Sequence, residues 1–145
     1  MMICQTDAGL NPDFEHVGCA FDSTAYARPK FGGPDWTDEE LNAAWAGTLA
    51  GGILSPDFVI QDWQALATFL RLPLKFVGSF DVGTEFDRTG KYIITEWYNP
   101  GTKFKHFVVG DTRPVEWDPI EGGSVTVREG YPISYRVFEV LGVAA

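Results

Sequence analysis

Four side chains in this sequence have the types needed to open an amide bond: a thiol at Cys19, an imidazole at His106, a carboxylate at Asp118 and an amide at Gln5. A thiolate attacks a carbonyl carbon, and an imidazole takes and returns the proton. A carboxylate fixes the imidazole tautomer, while amide N–H groups hold the oxyanion. The sharpest piece is KHFVVGDTRPVEWDP, Lys105 to Pro119. His106 opens an apolar run, Phe107-Val108-Val109, that reads as a strand ending at the Gly110-Asp111 turn. Arg113-Pro114 punctuates a short connection, and Val115-Glu116-Trp117 begins a second strand closed by Asp118-Pro119. Strands joined by a tight turn pair antiparallel, so their distal ends meet. That pairing places His106 beside Asp118 at one end of a hairpin.

The thiol follows from position. The segment GCAFDSTAYAR is rich in small residues and predicts a helix from Val17 to about Arg28, stopped by Pro29. Cys19 then lies in its first turn, where unpaired N–H groups and the partial positive charge of the helix end favour a thiolate. A cysteine there, beside a histidine, can have its pKa lowered to roughly 3.5–7.5. Gly18 leaves room for a substrate backbone. Cys4, in a brief apolar entry segment, lacks this setting. Gln5, placed beside the Cys19 backbone N–H, would complete a two-donor oxyanion hole. His16 stands at the helix entry and reads as exposed.

The elements that must position these groups come in two blocks. After the Cys19 helix and the breakers Gly32-Gly33-Pro34, Thr37 and Glu40 form a capping box with Trp36 as its staple. That helix carries Leu41, Ala44, Trp45 and Leu49 and ends at Gly51-Gly52. A third helix is expected from Ser55-Pro56-Asp57 through Val59, Trp63, Leu66 and Leu70 to Pro73, with the three-and-four spacing of a core-facing face. Trp45 and Trp63 read as core. Strands are then expected at Lys75–Phe80, Lys91–Tyr98, His106–Val109, Val115–Trp117, Ser124–Arg128 and Tyr135–Val140. Trp97 and Trp117 read as sheet packing, with Trp117 able to shield the neighbouring Asp118. Helices first and strands second predict an α+β fold with a largely antiparallel sheet, over one domain spanning 1–145.

Composition narrows the partners. A net charge of -9, with eleven scattered basic residues, argues against nucleic acid. No apolar run reaches the length of a bilayer span, and the N-terminus shows no signal-peptide pattern, which points to the cytoplasm. Two cysteines are too few for a disulfide framework, although Cys4 and Cys19 are free to pair with one another. Neither C-x-x-C nor H-x-x-x-H occurs, so no structural zinc site is expected.

The order Gln5, Gly18-Cys19 opening a helix, His106-Phe-Val-Val and Asp118-Pro119 resembles the papain-like cysteine peptidases. The resemblance is greatest to the compact branch related to bacteriocin leader-processing (double-glycine) peptidases. It implies N-terminal helices carrying the cysteine, packed on a C-terminal antiparallel sheet carrying histidine and aspartate. It implies hydrolysis of a peptide or isopeptide bond in a peptide or protein substrate, with no metal or organic cofactor. Acyl transfer to an amine uses the same groups. A second reading is a catalytically silent module of the same fold, of phage or mobile-element origin, favoured by the long acidic segment between Gln5 and Cys19.

Overall fold

The structure, a computed structural model, describes residues 18–142 except 113 and 121. Five helices are described: α1 (Cys19–Ala25), α2 (Ala27–Lys30), α3 (Asp38–Ala50), α4 (Trp63–Phe69) and α5 (Val125–Glu129). Five strands, β1 (Leu74–Asp81), β2 (Lys91–Asn99), β3 (Phe104–Gly110), β4 (Val115–Trp117) and β5 (Tyr131–Val140), form one sheet in the order β1-β5-β2-β3-β4. Every pairing is antiparallel. The fold is α+β, as the segregation of helical and strand patterns predicts. No described helix is long and apolar enough to cross a membrane.

The core lies between the helices and one sheet face. Tyr92, Ile94, Val109 and Phe138 from the sheet pack in one cluster with Phe21, Leu41, Trp45 and Leu66 from the helices. Phe21 meets Trp45 edge-on at 5.3 Å between ring centroids, within the range where aromatic pairs add to simple burial. The expected capping box is present: Thr37 Oγ1 accepts from Glu40 N at 3.1 Å, and Glu40 Oε1 accepts from Thr37 N at 3.2 Å. At the sheet edge, Gln64 of α4 accepts from Phe76 N at 2.6 Å and donates to Leu74 O at 3.3 Å. One amide therefore satisfies two backbone groups of β1.

Three expectations about elements need correction. The first helix starts at Cys19 and is interrupted at Tyr26, while Pro29 sits within α2 instead of stopping the chain before it. Proline lacks an N–H, but the first turn of a helix has no acceptor for that N–H anyway. The third helix begins only at Trp63, where Asp62 caps it by accepting from Ala65 N at 2.9 Å. The preceding stretch is a loop closed by a Leu54–Ile60 bridge, with Phe58 at φ 66, a left-handed conformation that excludes helix. Ser124–Arg128 is not a strand. Ser124 caps α5 by accepting from Val127 N at 3.2 Å, and this local bond overrides the β-branched alternation of Val125, Thr126 and Val127.

The β3–β4 connection depends on Gly110. Its φ is +121, and a Cβ there would stand 2.6 Å from Glu116 N. The register is irregular at the same point, between Val109 and Gly110. Gly110→Ala is expected to cost at least about 2 kcal/mol, combining backbone strain with displacement of β4. Urea unfolding at neutral pH measures this, and an unchanged midpoint would show that the turn tolerates a side chain.

Candidate active site

Cys19 is the first residue of α1, behind Gly18, which serves as N-cap without a side chain. The thiol is free and half-buried. Two hydrogen bonds hold its helix on the sheet: Ser23 Oγ donates to Phe107 O at 3.2 Å, and the Tyr92 hydroxyl donates to Ser23 O. Ser23 and Tyr92 are both buried, so these bonds are shielded from water. The helix face that carries Phe21 and Ala25 goes into the core. The helix is thereby fixed against the strand that bears His106.

His106 is the third residue of β3, which begins at Phe104 and not at His106 as the apolar run alone indicated. It is the register partner of Trp97 on β2 and is 5% exposed. Its Nε2 lies 2.7 Å from Asp118 Oδ1. With Nε2 committed to Asp118, Nδ1 is the nitrogen left for the thiol. Asp118 follows β4 directly and is itself well anchored. Oδ1 also accepts from Ile120 N at 2.9 Å, and Oδ2 accepts from Ser124 N at 2.9 Å. The strand before it is pinned to the helical layer. Trp117 stacks on Tyr26 with ring planes 2° apart at 4.7 Å, and Glu116 binds Lys30 at 2.6 Å. Trp117 thus packs on the junction between α1 and α2, beyond the sheet packing expected of it.

The electrostatics of the pair follow from burial and partners. Burial alone would lower the His106 pKa. The hydrogen bond to Asp118 and its charge, with the neighbouring Cys19 thiol, outweigh it and raise the group from 6.5 to about 9. For Asp118 burial pushes upward, but the His106 hydrogen bond and charge, with the N–H groups of Ile120 and Ser124, hold the carboxyl below its usual range. The geometry therefore favours imidazolium beside carboxylate at neutral pH.

Two grooves meet at the thiol. One, of about 780 Å³, runs past His106 toward Ser124 and carries Lys103, Phe104 and Lys105 on its wall. The other, of about 450 Å³, lies on the Ala20 side and is walled by Phe58, Trp63 and Phe107, with Asp57, Glu96, Lys105 and Arg136 as its charged lining. Trp63, expected in the core, is only half-buried and forms groove wall. Arg136 sits 5.6 Å over Trp63 and 5.3 Å over Phe107, within cation–π range.

The structure brings together Cys19, His106 and Asp118 of the four sequence candidates. Gln5 lies outside the described residues, as do Cys4 and His16. Sequence reasoning missed the backbone donors Ile120 and Ser124 that complete the Asp118 site. Ser124 after Gly122-Gly123 was the available signal, as a cap residue following breakers. It also missed Lys103 and Arg136, which carry no local pattern. Among the described residues, no three His, Cys, Asp or Glu side chains are grouped as metal ligands would be. No family model, curated protein or solved structure matches this chain.

The shifted pair makes stability depend on pH in a defined sense. His106 has its folded pKa raised, so its contribution is complete below 6.5 and is lost as pH rises through about 9. Asp118 has its folded pKa depressed, so its contribution is present above 3.8 and is lost as pH falls below that. Urea midpoints are expected to plateau near pH 5–6 and to decline toward pH 9. Asp118→Asn, which removes one member of a buried pair, is expected to cost about 3–5 kcal/mol and to flatten the alkaline decline. An unchanged slope in that variant would show that His106 is not charged by Asp118.

Proposed function

We propose that this chain is a papain-like cysteine peptidase or amidase, in which Cys19 and His106 hydrolyse a peptide or isopeptide bond. The observation that carries the reading is a half-buried thiol and a buried imidazole lining one groove, the imidazole bonded to an anchored carboxylate, at the point where two grooves meet. The substrate chain would run through both grooves and present its scissile carbonyl to Cys19.

Cys19 Sγ attacks the carbonyl carbon, forming the C–S bond and an oxyanion. The Cys19 backbone N–H, at the helix start, and the Gln5 side-chain amide are the donors assigned to that oxyanion. His106, as imidazolium, gives a proton to the leaving nitrogen as the C–N bond breaks. The resulting neutral imidazole then takes a proton from water, whose oxygen attacks the thioester, and the acid leaves as Cys19 recovers its thiolate. Asp118 keeps the ring oriented and stabilises its charged form throughout, without itself taking the proton. Replacing water by an amine gives acyl transfer through the same thioester.

The test is alkylation by iodoacetamide at pH 6.5, read by peptide mapping. Cys19 in the native chain is expected to react on the order of tenfold faster than in His106→Ala. Equal rates in the two proteins would exclude a working thiol–imidazole pair and turn attention to a silent binding module of the same architecture.

A further inference from the structure

The groove on the Ser124 side of Cys19 departs from the charge of the rest of the molecule. The chain carries a net charge of -9, yet this groove is lined by two lysines, Lys103 and Lys105 (the latter shared with the second groove), and by no described carboxylate. Neither groove lysine has an ion-pair partner among the described residues. Among the described residues the two ammonium groups share this cleft with no carboxylate, and low-dielectric walls concentrate their field.

The turn that presents Lys103 supplies a second observation. Lys103 has φ 64, the left-handed region, which costs a residue with a side chain about 1–2 kcal/mol. The turn is held there by a buried Asn99, whose carbonyl accepts from Lys103 N at 2.7 Å and whose Oδ1 accepts from Gly101 N at 2.9 Å. Glycine would take this position without strain. A lysine kept in a strained backbone position at the mouth of a cleft points to a task for its ammonium. Beside it, Phe104 is 68% exposed and Val125 is 45% exposed, giving apolar surface between and beyond the charges.

We infer that this groove binds an acidic stretch of the substrate, an extended peptide whose Asp or Glu side chains pair with Lys103 and Lys105 while Phe104 and Val125 cover intervening apolar residues. The inference rests on the hydrolase reading, since it names the flank of the chain cleaved at Cys19.

Two C-terminally amidated affinity labels test it: iodoacetyl-Gly-Glu-Leu-Glu-Gly-amide and the same peptide with Gln in place of Glu. The amide end leaves side-chain carboxylates as the labels' sole anionic groups. At low salt the acidic label is expected to modify Cys19 about three- to tenfold faster than its neutral twin. The ratio should approach one in 0.5 M salt and in Lys103→Gln/Lys105→Gln. Taking the ratio cancels any change in the thiol itself. Lys103→Gly is expected to lower the ratio while raising the melting temperature, which separates the charge from the integrity of the turn. Equal rates for the two labels in the native chain, or a preference that survives the double substitution, would overturn the inference. Slow labelling by both peptides, with iodoacetamide indifferent to His106→Ala, would instead remove the hydrolase reading. In that event, anisotropy of the two peptides carrying a fluorescent cap, measured on Cys19→Ser, decides the groove by itself. Tighter binding of the acidic peptide supports it, and equal binding overturns it.

Discussion

The contact between His106 Nε2 and Asp118 Oδ1, 2.7 Å long and nearly closed to water, is the constraint on which the rest of the site depends. A buried imidazole left alone would lose its proton, and a buried carboxylate left alone would gain one. Each keeps its charge because the other is there, and because the Ile120 and Ser124 N–H groups satisfy the remaining carboxylate lone pairs. Replacing such a pair by apolar groups often leaves a protein no less stable, so its presence speaks for a use other than stability. The use assigned to it here is to keep one ring nitrogen charged and aimed at Cys19.

The folding pattern makes sense as a means of holding that contact. β4 is only three residues long and lies at the sheet edge, and alone it would hold Asp118 poorly. Gly110 lets it turn close against β3, and the Tyr26–Trp117 stack and Lys30–Glu116 pair clamp it to the C-cap of the Cys19 helix and to α2 that follows it. Ser23 and Tyr92 then join the Cys19 helix to β3 and β2. The thiol, imidazole and carboxylate are therefore carried by three elements tied pairwise to one another. For the proposed nucleophilic chemistry such cross-links would matter, since small errors of placement there cost heavily.

Much of this was legible in the sequence, and the exceptions have local causes. The sheet strands announce themselves by alternation, and a short connection between the runs at His106 and Val115 is enough to bring His106 and Asp118 together. Thr37-x-x-Glu40 announces its helix just as directly. The 55–62 stretch misleads because Val59 and Trp63 fall at helical spacing, while the left-handed backbone at Phe58 cannot be read from residue types. Ser124 to Arg128 misleads the other way. Its β-branched residues mimic a strand, but Ser124 N is already taken by Asp118, and its hydroxyl starts a helix. The charges that distinguish the two grooves come from separate turns and strands, so only the folded chain shows them converging.

The most direct measurement of the central claim is the titration of the His106 ring by two-dimensional nitrogen-15 NMR, following both ring nitrogens from pH 5 to pH 10. The account predicts a ring protonated on both nitrogens at pH 7, losing a proton near pH 9, with the midpoint falling markedly in Asp118→Asn and in Cys19→Ser. A ring that titrates at or below 6.5, or one indifferent to both substitutions, would contradict it.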